Sequence, residues 1–196
     1  MRVFAERRLP TALAAAALLA SCLCSPAWAE DAAGGPSAVW TPKEFKFTYQ
    51  GFTTKYSCDG LRDKVRAILL AFGARQDLEV SRWGCAGGDR PDPFPGVAVK
   101  MSVLEVADAA KASADVPPVA SHWKSVRLQL DRSPLSEAGE CELVEQVKQK
   151  ILPLFTTRNI DYRNNCVPHQ LTPGGTRLAA DVLIADPIPA ATAAAS

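Results

Sequence analysis

Four cysteines form two similar brackets, and their spacing constrains the fold more than any other feature of the sequence. The first bracket runs from Cys58 to Cys85, and the second from Cys141 to Cys166. The members of the second bracket lie 83 and 81 positions after those of the first. Each bracket encloses a helix-like stretch and a short alternating stretch. This pattern predicts two copies of one disulfide-stapled unit.

The hydrophobic pattern predicts one helix in each bracket, with strands on either side. The first helix is indicated by apolar residues at helical spacing, with Ser57 suited to cap its start and Gly73 to end it. Its stripe consists of Leu61, Val65, Ile68, Leu69 and Phe72. The second stripe consists of Val144, Val147, Ile151 and Phe155, and Pro153 is expected to end that helix.

Alternating apolar residues predict three strands in each unit. In the first unit they are Phe45 and Phe47, then Leu78 and Val80, then Val97, Val99, Met101 and Val103. In the second they are Val126, Leu128 and Leu130, then Ile160 and Tyr162, then Leu178, Ala180, Val182 and Ile184. The order is βαββ in both units. We therefore predict an α+β fold, a two-layer sandwich built by tandem βαββ duplication, with about six mostly antiparallel strands in one sheet and two helices on one face.

The expected disulfides join Cys58 to Cys85 and Cys141 to Cys166, because a helix and a returning strand bring the second cysteine back to the level of the first. Four cysteines allow three pairings, and the sequence does not exclude the other two. A redox role is the alternative, since Cys58 and Cys141 lie at predicted helix starts, where a thiol pKa is lowered. The absence of a Cys-X-X-Cys motif favours structural disulfides.

The N-terminus predicts export. Three arginines precede a short apolar run, and Ala27-Trp28-Ala29 has the small-X-small form of a signal-peptidase site. Cleavage there gives a soluble periplasmic protein with four cysteines. Residues 19–22, Leu-Ala-Ser-Cys, resemble the lipobox of bacterial lipoproteins. Lipidation at Cys22 is therefore the alternative, and it would give an outer-membrane lipoprotein with Cys24 unpaired.

The chain divides into a signal peptide (1–29), a flexible leader (30–39), a first unit (40–104), a linker (105–121), a second unit (122–186) and a disordered tail (187–196). Removal of the signal leaves 19 basic and 20 acidic side chains, a net charge of −1. A near-neutral chain with mixed signs is not typical of proteins that bind nucleic acid. No later segment is long and apolar enough to form a transmembrane span.

Motifs for catalysis and for metal or cofactor binding are absent from the sequence. His122 and His169 are the only histidines, and neither has a cysteine or carboxylate at ligand spacing. No Gly-X-Ser-X-Gly sequence marks a nucleophile. Asp181 alternates with apolar residues and is expected to face solvent. We expect neither a metal nor a cofactor and no enzymatic activity, although a hydrolase assembled from scattered residues would leave no motif.

Tryptophans supply the candidate binding residues. Trp40 and Trp123 precede the first strand pattern of each unit, and Trp83 precedes Cys85, so two or three indoles are expected near one rim. Exposed indoles would bind a protein, peptide or glycan of the cell envelope, whereas buried ones would cap the core. The preferred function is a non-catalytic periplasmic binding or envelope-assembly protein of unknown ligand. The alternative is a thiol-disulfide or redox-sensing protein that uses Cys58 or Cys141.

Overall fold

The computed structural model describes residues 35–52, 54–85, 90–107, 117–129, 140–164, 167 and 176–187. The predicted signal peptide with Cys22, most of the leader, Cys166, His169 and the predicted tail from 188 onward lie outside these residues. The elements in chain order are β1 (Ala38–Thr48), α1 (Cys58–Ala71), β2 (Glu79–Trp83), β3 (Gly96–Val106), β4 (Ser121–Gln129), α2 (Glu140–Gln146), β5 (Thr157–Arg163) and β6 (Arg177–Ala185).

The six strands form two antiparallel sheets with the same topology. The strand order is β1-β3-β2 in one sheet and β4-β6-β5 in the other, so the third strand of each unit is central. The predicted α+β class and the twofold βαββ order are confirmed. The expectation of a single shared sheet is wrong. Among the described residues no strand ladder joins the two sheets, and an isolated bridge pairs Ala38, the first residue of β1, with Val119, which lies just before β4.

The strand registers show how the two units correspond. The ladder between β1 and β3 ends with Thr48 opposite Gly96, and 81 residues later the ladder between β4 and β6 ends with Gln129 opposite Arg177. The same shift relates the buried Val97 to the buried Leu178. Positions on β1 and β3 therefore correspond one to one with positions on β4 and β6.

One apolar core lies between the helices and the inner faces of both sheets. The largest fully buried side chains of this core are Phe47, Tyr49, Leu61, Leu69 and Phe72 from the first unit and Leu143, Ile151 and Leu178 from the second. The rings of Phe72 and Phe155, one from each unit, contact edge to face with centroids 5.5 Å apart. The two units therefore fold around a common core.

Helix α1 forms where the hydrophobic stripe predicts it. The Gly60 amide donates to Ser57 Oγ at 3.1 Å, which caps the first turn. Leu61, Val65 and Leu69 are fully buried. After the helix, Gly73 has φ of 89°, the left-handed conformation that glycine adopts without a Cβ penalty.

The second helix changes geometry towards its end. Helix α2 continues as a π-helical turn (Val147–Ile151) and then as a 3-10 turn (Leu152–Leu154) that contains Pro153. Proline has no amide hydrogen to continue an α-helical ladder, so the helix ends here. Val147 and Ile151 remain fully buried, and the stripe still faces the core.

Polar contacts fasten α2 to the segment that follows β1. The side-chain amide of Gln146 pairs with the Gln50 backbone, accepting its N–H at 3.1 Å and donating to its carbonyl at 2.8 Å. Glu142 accepts from the Phe52 amide at 2.8 Å and from the Tyr49 hydroxyl at 3.3 Å. These bonds span about 90 positions in the sequence, and they fix the second unit against the first.

The predicted disulfide between Cys58 and Cys85 is present, and it encloses 27 positions of chain. It ties the first residue of α1 to the segment just beyond β2. Cys141 is also disulfide-bonded, but its predicted partner Cys166 lies outside the described residues. Cys58 is 2% exposed. Burial of this sulfur fits a structural role.

Candidate functional site

The outer face of the second sheet carries a concentration of arginines. Leu178, Ala180 and Val182 of β6 are buried against the helices, so Arg177 and Asp181 point to the opposite side of the strand. Directly paired residues share a face. The described members of this face, here called the arginine face, are Arg127 and Ser125 on β4, Arg158, Asn159, Asp161 and Arg163 on β5, and Arg177 and Asp181 on β6.

Asp181 is the centre of a hydrogen-bonded cluster on this face. Ser125 Oγ donates to its carboxylate, and Asn159 Nδ2 donates to it at 2.7 Å. Arg158 Nε lies 3.6 Å from the same carboxylate. The hydrogen bond from Ser125, then that from Asn159, and the charge of Arg158 lower the pKa of Asp181. The group is therefore a carboxylate at neutral pH.

An irregularity in β5 produces this cluster. Arg158 pairs with Asp181 and Asp161 pairs with Ala179, so two residues of β5 oppose one residue of β6. One of the two is Asn159, with φ of 52°, a conformation that asparagine adopts more readily than most residues. Such bulges redirect side chains. Here the extra residue directs the Asn159 amide at Asp181.

The rest of the face is arranged around a second carboxylate. Asp161 lies 3.0 Å from Arg177 and 3.6 Å from Arg163. Arg127 is exposed, and it has no hydrogen bond or ion pair within the described part of the chain. The four arginines outnumber the two aspartates. The described arginine face therefore has a net charge of +2, although the whole predicted mature chain is near neutral.

The corresponding face of the first sheet has different chemistry. At positions equivalent to Ser125, Asp181 and Arg158, the first sheet carries Glu44, Lys100 and Glu79. These three line a groove of about 710 Å³ together with other residues, among them Lys46, Ser81 and Ala98. Arg66 of α1 also lines this groove. On the outer face of the sheet itself, Lys46 and Lys100 balance Glu44 and Glu79. Strand β2 pairs with β3 without a register break, so no bulged residue projects over this face.

The three predicted tryptophan sites do not form one rim. Trp40 and Trp123 both pack against a small buried cluster that includes Leu104 and Leu183. Trp83 pairs with Gly96 at the far end of β3, about 26 Å from Leu104 at 3.3 Å per residue. The structure therefore brings two of the three tryptophans together and leaves Trp83 apart.

Each of these tryptophans has a cation over its ring. Arg158 Cζ lies 4.3 Å from the ring centroid of Trp123, and the distances are 5.7 Å from Arg75 to Trp40 and 4.7 Å from Lys46 Nζ to Trp83. Trp83 is the most exposed of the three, at 40%. Trp123 lies next to the Asp181 cluster, and the arginine above it belongs to that cluster.

The described residues hold no group of three His, Cys, Asp or Glu side chains placed to bind a metal ion. His122 Nδ1 contacts Asp186 Oδ1. Within the same residues, no helix combines the length and apolarity needed to cross a membrane. Comparison with family models, curated proteins and solved structures finds no match to this chain.

The sequence predicts that Asp181 faces solvent, but it does not predict the cluster around that residue. Its partners Ser125, Arg158 and Asn159 belong to two other strands, and no motif joins them. One local signal exists in the sequence, because asparagine is unfavourable inside a strand and often marks a bend or bulge. Asn159 is such a residue, in the middle of β5.

Proposed function

We propose that this protein is a non-catalytic binding protein of the periplasm that holds an envelope ligand on the arginine face. The observation that carries the proposal is the Asp181 cluster. In it the exposed side chains of Ser125, Asn159 and Arg158 are held in place by direct contacts with the Asp181 carboxylate. Groups fixed before binding lose little conformational entropy when a ligand arrives. Trp123, one of the three sequence-predicted binding residues, adjoins the cluster.

The comparison between units supports a role in binding rather than in folding. The register between β1 and β3 is the same as that between β4 and β6. In the first sheet, β2 pairs with β3 without a bulge. The bulge at Asn159 is therefore not required by this architecture. Bulges are concentrated near functional sites, where they redirect side chains.

The extracytoplasmic location is part of the proposal. It is supported by the export signal that the sequence predicts and by the disulfide between Cys58 and Cys85, a bond that persists in oxidising compartments. Intact mass spectrometry of the exported protein tests it. A chain that begins at Glu30 is expected, whereas a lipid on Cys22 would show the lipoprotein form. A chain that retains residues 1–29 in the cytoplasm would contradict export.

An exchange of residues between the two sheets tests the binding face. A row here means the three paired residues at equivalent positions of each sheet. One variant gives the second sheet the row of the first, by Ser125→Glu, Asp181→Lys and Arg158→Glu. Its matched control makes the opposite exchange in the first sheet, by Glu44→Ser, Lys100→Asp and Glu79→Arg. Each set of three residues already occurs in a folded antiparallel sheet of the same strand order, so both variants are expected to fold.

The assay is co-sedimentation of the exported protein with purified envelope fragments, with circular dichroism to check folding. We expect the second-sheet variant to lose most of its binding, by about ten-fold or more, because several charge-assisted contacts are removed together. The first-sheet variant should bind like the unmodified protein. Equal binding by both variants would show that the arginine face is not the binding surface.

A further inference from the structure

We propose that the arginine face binds an acidic polysaccharide, a chain of sugars that carry carboxylates. This inference rests on the proposed function and specifies its ligand class. The face combines an excess of positive charge with a fixed set of hydrogen-bonding groups. A carboxylated sugar offers an anion and hydroxyl groups that both donate and accept hydrogen bonds. The two properties of the face correspond to the two properties of the ligand.

The net positive charge of the arginine face favours a negatively charged ligand. The arginine face carries four arginines and two aspartates among its described residues, whereas the equivalent face of the first sheet is balanced. Arg127, Ala179 and Asp161 form one row across the sheet, and Gln129, Arg177 and Arg163 form the next. Neighbouring strands lie about 4.8 Å apart. The guanidinium groups are therefore spread over several strands and rows of the sheet, which suits an extended anionic chain.

The guanidinium of Arg158 is held in a position from which it can bind a carboxylate. Its guanidinium lies over the Trp123 ring, with Cζ 4.3 Å from the centroid, and its Nε faces Asp181 at 3.6 Å. The contact with Asp181 uses Nε, and the two terminal nitrogens have no partner in the described residues. Arginine binds carboxylates through two parallel N–H groups. A guanidinium held by a ring and an anion therefore loses less rotamer entropy when it binds.

The polar groups around Asp181 favour a sugar over a simple anion. Asn159 donates through Nδ2 and Ser125 through its hydroxyl hydrogen, so the Asn159 amide oxygen and the Ser125 lone pairs stay available as acceptors. Both side chains are exposed. Acceptors add nothing to the binding of a phosphate group, but they bind sugar hydroxyls.

The test uses an unbranched oligogalacturonate as the probe and the same oligosaccharide after methyl esterification as its neutral counterpart. Binding to the exported protein is measured by isothermal titration calorimetry at low and at physiological ionic strength. We expect the acid to bind at least about ten-fold more tightly than the ester, with affinity falling as salt rises. Equal affinity for acid and ester, or no binding of the acid, would overturn the proposal.

Two variants at equivalent positions separate a specific face from general electrostatics. Arg127→Glu reverses an arginine that has no partner within the described part of the chain, so folding should be unaffected. Lys46→Glu makes the same change of charge at the equivalent position of the first sheet. We expect Arg127→Glu to weaken oligogalacturonate binding about ten-fold, and Lys46→Glu to leave it nearly unchanged. Equal weakening by both would refute a specific face.

A further arm uses vesicles of phosphatidylglycerol. Tighter binding to these vesicles than to oligogalacturonate, lost in Arg127→Glu, would replace the polysaccharide with a membrane surface and overturn the inference. The envelope co-sedimentation assay keeps this result apart from the proposed function. If the row exchange abolishes envelope binding while oligogalacturonate does not bind, only the ligand class is wrong. If the row exchange has no effect on envelope binding, both proposals fail.

Discussion

A buried hydroxyl without a partner makes Tyr56 the most informative position for a stability measurement. Within the described residues, the Tyr56 hydroxyl oxygen is buried and has no hydrogen-bond partner. The ring packs edge to face with Tyr49 at 4.9 Å between centroids, and Lys64 Nζ lies 5.5 Å from the Tyr56 centroid. Tyr56→Phe removes the hydroxyl and keeps both ring contacts. Since an unpaired buried hydroxyl costs about 1–3 kcal/mol, the variant should be about 1 kcal/mol more stable at neutral pH.

The same substitution should change the dependence of stability on pH. Burial, followed by the electrostatic effects of Tyr49 and Glu142, raises the pKa of Tyr56 above its ordinary value of 10.0. Above that value the unfolded chain releases the proton and the folded chain retains it, so stability falls as pH rises. The loss is about 1.4 kcal/mol per tyrosine for each pH unit. Burial also raises the pKa of Tyr49, so both tyrosines contribute to the fall.

Urea denaturation at neutral pH and at one pH unit above 10 measures both effects. One unit above the ordinary pKa, the advantage of Tyr56→Phe over the unmodified protein should grow by about 1.4 kcal/mol. Tyrosinate absorbance supplies an independent check, because folded Tyr56 should stay protonated where the urea-unfolded chain is ionised. Two results would refute the reasoning: a variant that is less stable at neutral pH, or an advantage that does not grow with pH.

Three further substitutions test the contacts that join the elements, each by urea denaturation. Replacing Cys58 and Cys85 together by alanine should lower the free energy of unfolding by about 3.5 kcal/mol in the chain-entropy model, given a separation of 27 positions; no loss would show that the disulfide is not a staple. Gly73→Ala should cost about 1–3 kcal/mol, because φ is 89° and the new Cβ would lie 2.7 Å from Ile184 Cγ2; a neutral effect would contradict the left-handed stop. Gln146→Ala removes two hydrogen bonds to the Gln50 backbone and should cost about 1–2 kcal/mol, whereas Gln149→Ala, a nearby exposed glutamine, should cost less.

Local patterns predicted the elements because burial enforces them. The first stripe matches the buried side of α1, with Leu61, Val65 and Leu69 fully buried. Ser57 and Gly73 occupy the ends of the helix in the predicted roles. Capping and periodicity depend only on residues within one or two turns. A single sequence contains all of that information.

The division into two sheets was not predictable in the same way. It depends on contacts between distant segments, such as the bridge from Ala38 to Val119 and the hydrogen bond from Thr156 Oγ1 to the Leu104 carbonyl at 2.7 Å. The alternation of apolar residues shows which side of a strand is buried but not which strand lies beside it. Two sheets of three strands and one sheet of six satisfy the same pattern.

Because of the bulge in β5, the alternation of apolar residues does not predict which side chains of this strand face the core. The alternation predicts Ile160 and Tyr162 on one face of a regular strand, yet Ile160 is 50% exposed, and the register breaks between Arg158 and Asp161. An extra residue shifts every later side chain by one position. The residues that form the Asp181 cluster could therefore be placed on a common face only once the ladder was known.

The duplication supplies an internal comparison that a single unit would lack. Packing against the helices constrains the inner faces, and there both units carry apolar residues at equivalent positions, such as Val97 and Leu178. No comparable demand acts on the outer faces, since the outer side of an antiparallel sheet can be solvated. There the units differ, with Lys100 between two glutamates in one and Asp181 between a serine and an arginine in the other. The two ladders differ at the bulge of Asn159, and the proposed binding function gives a reason for that difference in the outer faces.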